Sequence, residues 1–491
     1  MRKRYFNMIL RKQNKVVPII LVIVLFISGC TGIVVSPTVQ VNDSPGVTQT
    51  ERPDPPGEET EPVETSESLE TTLTSTSISS NSVSPDDLDG IAVRFVHPWD
   101  GAGGEKINEI ATQFSLSNPW GIWIDVEGMG SETVLLDSLQ SDLETGDVPD
   151  LIAVHPYKLS DLDGAITPHP LNDYFNHPDF GFSIEEKDDI PEVFLEQFMV
   201  DNTLTALPIA PQAMVMFYNQ TWAEELGFSA PPEYVEDFRQ QVCAATTANL
   251  GDEIEDNDGT GGFPRNFDPR VLASWYRAFD GQIPETGTLS FNNDAGRQAF
   301  GFLKSVDTQG CIWIHRQPDP FWYFANRYAL MYAGTLDQIA IQKGWMEASQ
   351  GDDTWMVTGF PGQDQNFILV DGPGLMITAE KPDEQLATWL FAKHLLKPEI
   401  QEQLVRSLIT LPVRNSAQPL LVDFSKTYPQ WAQAISLIEI AEPLPISDEW
   451  GISQFVLQDA IIRLMQVDED QTNLILEELD MMINELEDGT P

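Results

Sequence analysis

The chain has 491 residues, and 76 Asp and Glu against 27 Lys and Arg leave a formal charge of −49. That balance repels nucleic acid and anionic lipid surfaces, so nucleic-acid partners are excluded. It fits solubility outside a cell better than any acid-specific chemistry, because acidic pairs occur everywhere along the chain and no glycosidase-type pair stands out.

In chain order, the first 29 residues carry Arg2, Lys3, Arg4, Arg11, Lys12 and Lys15 and no acid. An apolar run over 16–27 follows and ends in Ile27-Ser28-Gly29-Cys30. A basic n-region, an apolar h-region and small residues before a cleavage point make a secretion signal over 1–29. The run falls short of the roughly 20 apolar residues that a spanning helix needs. With cysteine just past the cleavage point, the segment resembles a bacterial lipoprotein signal. That resemblance implies lipidation of Cys30 and a membrane anchor there.

Residues 31–89 are rich in Ser, Thr, Pro and Glu and contain no Phe, Tyr or Trp. Such a stretch cannot bury enough apolar surface to offset chain ordering. With Cys30 it reads as a disordered linker over 30–89, open to O-glycosylation, with a coil span of roughly 40–45 Å.

From residue 90 aliphatic and aromatic content rises, enough for two lobes of ordinary size. Strands are predicted at 91–96, 122–126 and 150–154, with helices at 105–116 and 132–143 between them. This alternation is α/β with a largely parallel sheet, whose ligands bind at the carboxyl ends of strands. It places His97, Trp99 and His155 beside a crevice. Further strands are predicted at 213–218, 329–332 and 374–378. Further helices are predicted at 385–396, 398–407, 454–465 and 471–487.

Cys243 and Cys311 are the remaining cysteines. An even pair in an oxidising compartment points to a disulfide. It would close a loop of roughly 70 residues and stabilise by roughly 4 kcal/mol. Two buried free thiols are the alternative, and without CxxC partners a zinc site is not expected. The acidic turn at 256–262 fails as an EF-hand, because Ile254 and Arg265 fall where acidic ligands belong. No nucleophile elbow, HExxH or P-loop is present, and the six histidines lack metal spacing. No metal and no cofactor is expected. Aromatic residues at predicted turns and element ends, among them Trp99, Trp275, Tyr276, Trp322, Tyr323 and Trp450, are candidate platforms for the C–H faces of sugars.

The run from Leu207 to Asn219, followed by Leu226-Gly227-Phe228 and Pro231-Pro232, resembles the family-1 extracellular solute-binding proteins. These are maltose-binding-protein-like components of ABC sugar importers. Gly146-Asp147-Val148-Pro149-Asp150, then Ala329-Leu330-Met331-Tyr332-Ala333-Gly334, then Asp371-Gly372-Pro373-Gly374 continue the resemblance in order over most of 90–491.

The resemblance implies an α/β, type II periplasmic-binding-protein-like fold with a hinge. One lobe is expected over about 90–207 plus 371–413, the other over about 208–370 plus 414–491. Both cysteines then fall in one lobe, which favours the disulfide. Carried over residue by residue, the ligand contacts expected are His97, Trp99 and Asp100 after the first strand, and His155 and Tyr157 after the third. Gln212, Trp275, Gly334, Thr335, Gly372 and Trp450 complete the set. The expected function is capture of a mono- or oligosaccharide by a monomeric, lipid-anchored protein outside the cytoplasm, and its delivery to an ABC permease. No covalent chemistry is expected. The rivals are a polyamine or metal binder, a secreted carbohydrate-active enzyme, and a surface sensor or adhesion module.

Overall fold

The alternating pattern after residue 91 folds as two sheets, each wrapped by helices. The computed structural model describes residues 83, 85–162, 166–284, 288–444 and 447–487. The leader, Cys30 and nearly all of the linker lie outside the described residues. The few described linker residues overturn its far boundary. Pro85–Leu88 forms a 3-10 turn, Leu88 is fully buried, and the Gly90 amide donates to the Gly121 carbonyl at 3.1 Å. Folding therefore starts a few residues before 90, where Leu88 first gives the chain an apolar group to bury.

The first sheet runs Trp123–Gly128, Ala92–His97, Leu151–Val154, Gly374–Ile377, Leu207–Pro208. The first three strands are parallel, and Gly374–Ile377 pairs antiparallel on both sides. Helix Gly101–Ser117 buries Ile107, Ile110, Ala111 and Phe114, the predicted apolar stripe, in this lobe's core. Helix Glu132–Thr145 starts at Ser131, whose side chain accepts from the Val134 amide, and stops at Gly146 in the left-handed region (φ 76°).

The second sheet is built around Gln212–Asn219, which pairs antiparallel with Met331–Thr335, Trp355–Thr358 and Ile368–Asp371. Ala441–Pro443 adds in parallel to Ile368–Asp371. A largely parallel architecture thus holds for three strands of the first sheet and gives way to antiparallel pairing in the second. The Gln212–Asn219 strand is buried over nearly its whole length, so it reads as a continuous apolar run whichever way its neighbours point.

The lobes exchange chain in a narrow zone. Leu207–Pro208 belongs to the first sheet and Gln212–Asn219 to the second; Ile368–Asp371 belongs to the second and Gly374–Ile377 to the first. These crossings lie side by side, for a Cβ on Gly372 would stand 3.1 Å from the Ala210 carbonyl oxygen and from Pro211 Cα. A third passage joins them where the Leu411 amide donates to the Pro211 carbonyl at 2.8 Å. Gln401, fully buried, donates to the Ile209 carbonyl (3.3 Å) and accepts from the Val413 amide (2.9 Å), tying the first and third passages together.

The sulfurs of Cys243, on helix Val235–Gly251, and Cys311, beside strand Ile312–Trp313, lie within bonding distance, with Cα atoms 4.7 Å apart. No helix among the described residues is long and apolar enough to cross a membrane.

Candidate functional site

Asp371 ends its strand against the crossing zone and is 1% exposed. A carboxylate so placed needs partners, since an unpaired buried charge is strongly disfavoured. It finds them from both lobes. The Gly372 amide donates to it at 2.8 Å and Gln197 Nε2 at 3.1 Å. The Tyr157 hydroxyl donates at 3.4 Å and His155 Nε2 lies at 3.5 Å. From the second lobe, Arg270 Nη1 stands 4.0 Å away.

Each partner is itself held. His155 follows the carboxyl end of strand Leu151–Val154; its amide and Nδ1 meet Glu132 Oε1 at 2.7 and 2.8 Å. Glu132 is the first residue of its helix, where the helix dipole favours a carboxylate. Arg270 lies in the first turn of Pro269–Arg277, and the N-cap Asp268 accepts from its amide (2.9 Å), Nε (3.1 Å) and Nη2 (2.8 Å). The result is a chain of alternating charge, Glu132, His155, Asp371, Arg270, Asp268, laid across the join between lobes.

Burial by itself would pull the His155 pKa down, but Asp371 and Glu132 outweigh it and hold the imidazolium above its usual 6.5. Burial would raise Glu132, yet His155 brings it below 4.5. Burial would likewise raise Asp268, and Arg270 lowers it. The Tyr157 hydroxyl is pushed well above 10, by burial first and the Asp371 charge second.

The sign of the pH dependence follows. A raised histidine pKa adds stability that is complete below 6.5 and is lost as pH climbs through the raised value. The lowered Glu132 pKa adds stability that is complete above 4.5 and fades only as pH falls through its folded value. The pair is therefore strongest between those limits. In urea unfolding from pH 6 to 9, the stability advantage of the natural protein over His155→Gln is expected to shrink as pH rises. An advantage that stays constant with pH would show that His155 is not held as the cation.

Tyr157 comes from the first-lobe segment Pro156–Leu162 but belongs to the second lobe's core, the cluster that also holds Met214, Trp450 and Leu457. Lys158 Nζ lies 5.7 Å from the Phe455 ring centre, another contact across the join. Helix Asp448–Leu464 thus docks on that segment. It carries two buried donors, Trp450 Nε1 and Gln454 Nε2, that have no hydrogen-bond partner among the described residues. They are four residues apart and so share one helix face. A buried donor without an acceptor in the chain calls for a partner from outside it, water or a ligand.

The predicted site residues divide. His155, Tyr157 and Gly372 meet at Asp371, and Gln212 is the register partner of Asp371 across the strands. Trp450 lies on the helix that docks on the Tyr157 segment, but it is fully buried, so what it leaves unsatisfied is its N–H. Others are placed elsewhere. His97 is fully buried between Phe95 and Trp99; burial lowers its pKa to about 4, and neither ring nitrogen has a well-formed hydrogen bond. Trp99 is half-buried against the first core, and Asp100 is exposed ahead of helix Gly101–Ser117.

Trp275 corrects an expectation most clearly. It is 1% exposed, with Phe238, Phe263, Phe302 and Phe360 around its ring, so it is core and not a ligand platform. Gly334 and Thr335 lie inside the strand Met331–Thr335 rather than after it, both buried. Sequence reading missed Glu132, Gln197, Asp268, Arg270, Asp371 and Gln454. The signals available were an acid closing the apolar run Ile368-Leu369-Val370, and an Asp-Pro-Arg helix start. Among the described residues, no three His, Cys, Asp or Glu side chains gather as metal ligands.

Two lobes joined by adjacent crossings, with a buried polar seam between them, define a binding protein of the hinged kind. The chain belongs to the bacterial extracellular solute-binding proteins, whose family profile matches residues 109–434. Comparison with curated sequences gives no significant match. Among solved structures, the sugar-binding protein MalE from the phytopathogen Xanthomonas citri shares the fold with a TM-score of 0.66 at 18% identity, covering 81% of this chain and 98% of its own. The cyclic alpha-maltosyl-1,6-maltose binding protein from Arthrobacter globiformis gives 0.65 at 14% identity, covering 80% and 98%. The Thermus thermophilus maltotriose binding protein gives 0.57 at 17%, covering 80% and 99%. This family and these neighbours are binding proteins, not enzymes.

Proposed function

We propose that the protein captures a carbohydrate outside the cytoplasm by closing its lobes, and hands it to the permease of an ABC importer. The observation that carries this reading is the seam itself. It is polar and shared by both lobes, and the helix docked on its Tyr157 segment carries the unsatisfied donors of Trp450 and Gln454, buried as the lobes stand and suited to the oxygen-rich edge of a sugar once the lobes part. The three carboxylates there, Glu132, Asp371 and Asp268, share the two cations His155 and Arg270, so one net negative charge remains rather than an unpaired acidic cluster suited to polyamines. The sugar-binding neighbours support the same class of ligand. Lobes over about 90–207 plus 371–413 and 208–370 plus 414–491, lipidation of Cys30, and a Cys243–Cys311 disulfide complete the proposal. His155, Tyr157, Gln212, Gly372 and Trp450 are the carried-over contacts retained in it, joined by Gln454.

The test is a thermal-shift screen of residues 83–491 against mono- and oligosaccharides, spermidine and divalent metals. A saccharide at a hundred times its Kd is expected to stabilise the protein by about 2.7 kcal/mol, with a higher Tm. Trp450→Phe and Gln454→Ala should each weaken binding roughly tenfold, the size of one lost hydrogen bond to a buried group. A response to spermidine or a metal and to no saccharide would overturn the reading.

A further inference from the structure

Trp322 and Trp345 are 38% and 41% exposed, unusual for rings that bury so much area when they can, and they lie outside the seam. They flank one cavity of about 340 Å³ on the second lobe, with Gln317 and Asp319 as its polar wall. The cavity is built firmly. Trp322 packs on the rings of Tyr323 and Tyr328, with centroids 5.2 and 4.9 Å away. The Tyr323 hydroxyl accepts from the amides of Arg316 and Gln317 at 3.0 and 3.2 Å, which fixes the loop carrying the polar wall. Gln342, on the helix that bears Trp345, donates to the Phe321 carbonyl at 3.3 Å and so locks the two indole-bearing helices together.

The position of the cavity says what it is for. Pro318 lines it and also lines a second cavity of about 450 Å³. That second cavity reaches Asp268, the residue that grips Arg270 in the seam. The two hollows therefore share Pro318 and lead from Asp268, at the second-lobe end of the seam, to the exposed indoles. No cation lines the outer hollow, and the chain's charge of −49 disfavours an anion there. Two flat rings beside an amide and a carboxylate match a neutral sugar, whose C–H face stacks while its hydroxyls donate.

We propose that Trp322 and Trp345 form an outer subsite that binds the distal unit of a neutral oligosaccharide whose near end lies at the seam. This rests on the carbohydrate reading above and narrows it to chains long enough to cross residues 314–320. The subsite contributes to long ligands and nothing to short ones.

The test is calorimetric titration of the natural protein, Trp322→Ala and Trp345→Ala with malto-, cello-, xylo- and galacto-oligosaccharides from disaccharide to heptasaccharide. Asp319→Asn serves as a variant that leaves the rings in place. Affinity of the natural protein is expected to rise with chain length. Each tryptophan variant should lose roughly tenfold for the longest ligand of the bound series and nothing for its shortest. Asp319→Asn should lose a smaller factor with the same length dependence. If the variants bind long and short chains as the natural protein does, or lose both equally, the outer subsite is overturned and the carbohydrate reading stands. If the natural protein binds no saccharide in the panel, both fall.

Discussion

Asp371→Ala is expected to destabilise the folded protein by on the order of 3 kcal/mol and to abolish tight ligand binding. The carboxylate is 1% exposed and takes hydrogen bonds from Gly372, Gln197 and Tyr157, with His155 and Arg270 beyond. Removing it takes the acceptor from the buried Gln197 amide and the buried Gly372 N–H, each costing about 1–3 kcal/mol when its partner is lost. It leaves the cations less exposed to penalty, because His155 keeps Glu132 and Arg270 keeps Asp268. That is why the estimate stays below the sum of the separate losses.

The functional loss has a different origin. Asp371 is the one group in the seam contacted by His155, Tyr157 and Gln197 from one side and Arg270 from the other. Without it the lobes lose their common anchor, and closure loses part of its driving force. Unfolding in urea measures the first effect and saccharide titration the second. Asp371→Asn separates them: the amide keeps an acceptor for Gln197 and Tyr157 but no charge for Arg270, so stability should recover more than affinity. If Asp371→Ala binds ligand like the natural protein, the seam is only a structural strut.

The layout of this seam explains what could be read from the sequence. Strands and helices were legible where periodicity is strong. Helix Gly101–Ser117 buries the expected stripe Ile107, Ile110, Ala111 and Phe114, and Thr472–Glu487 and Pro398–Leu408 fall within a few residues of their predicted bounds. The crossings were legible because Gly372-Pro373 follows an apolar run. The site was less so, because its members come from distant stretches and nothing local distinguishes them. Among 76 acids, Glu132, Asp268 and Asp371 look like any others until the fold buries them. Aromatic residues mislead in the opposite sense. Trp275 and Trp322 both lie near element ends, but one is enclosed by four Phe rings and the other half-exposed beside a cavity. Sequence position does not carry that difference; packing of the opposite face does.

Reduction of the Cys243–Cys311 bond is expected to lower the stability of the natural protein by about 4 kcal/mol, on the chain-entropy account of a 68-residue separation. The native geometry around it is crowded. A Cβ on Gly262 would lie 2.1 Å from the Cys311 carbonyl oxygen, and the Phe263 amide donates to that same oxygen at 2.9 Å. The proposed bond would hold helix Val235–Gly251 over the short parallel pair Phe263–Pro264 and Ile312–Trp313. From that pair the chain runs directly into Asp268 and Arg270 on one side and into residues 314–320 on the other. Loosening it should reach both the seam and the outer hollow, while the first lobe, whose core shares no residue with this region, keeps its packing. Urea unfolding with and without dithiothreitol measures the loss, and Cys243→Ser with Cys311→Ser should reproduce it without reductant. Limited proteolysis of the reduced protein should cut first between residues 243 and 311. If the oxidised and reduced proteins unfold at the same urea concentration, the constraint adds nothing, and the core is stable without the bond.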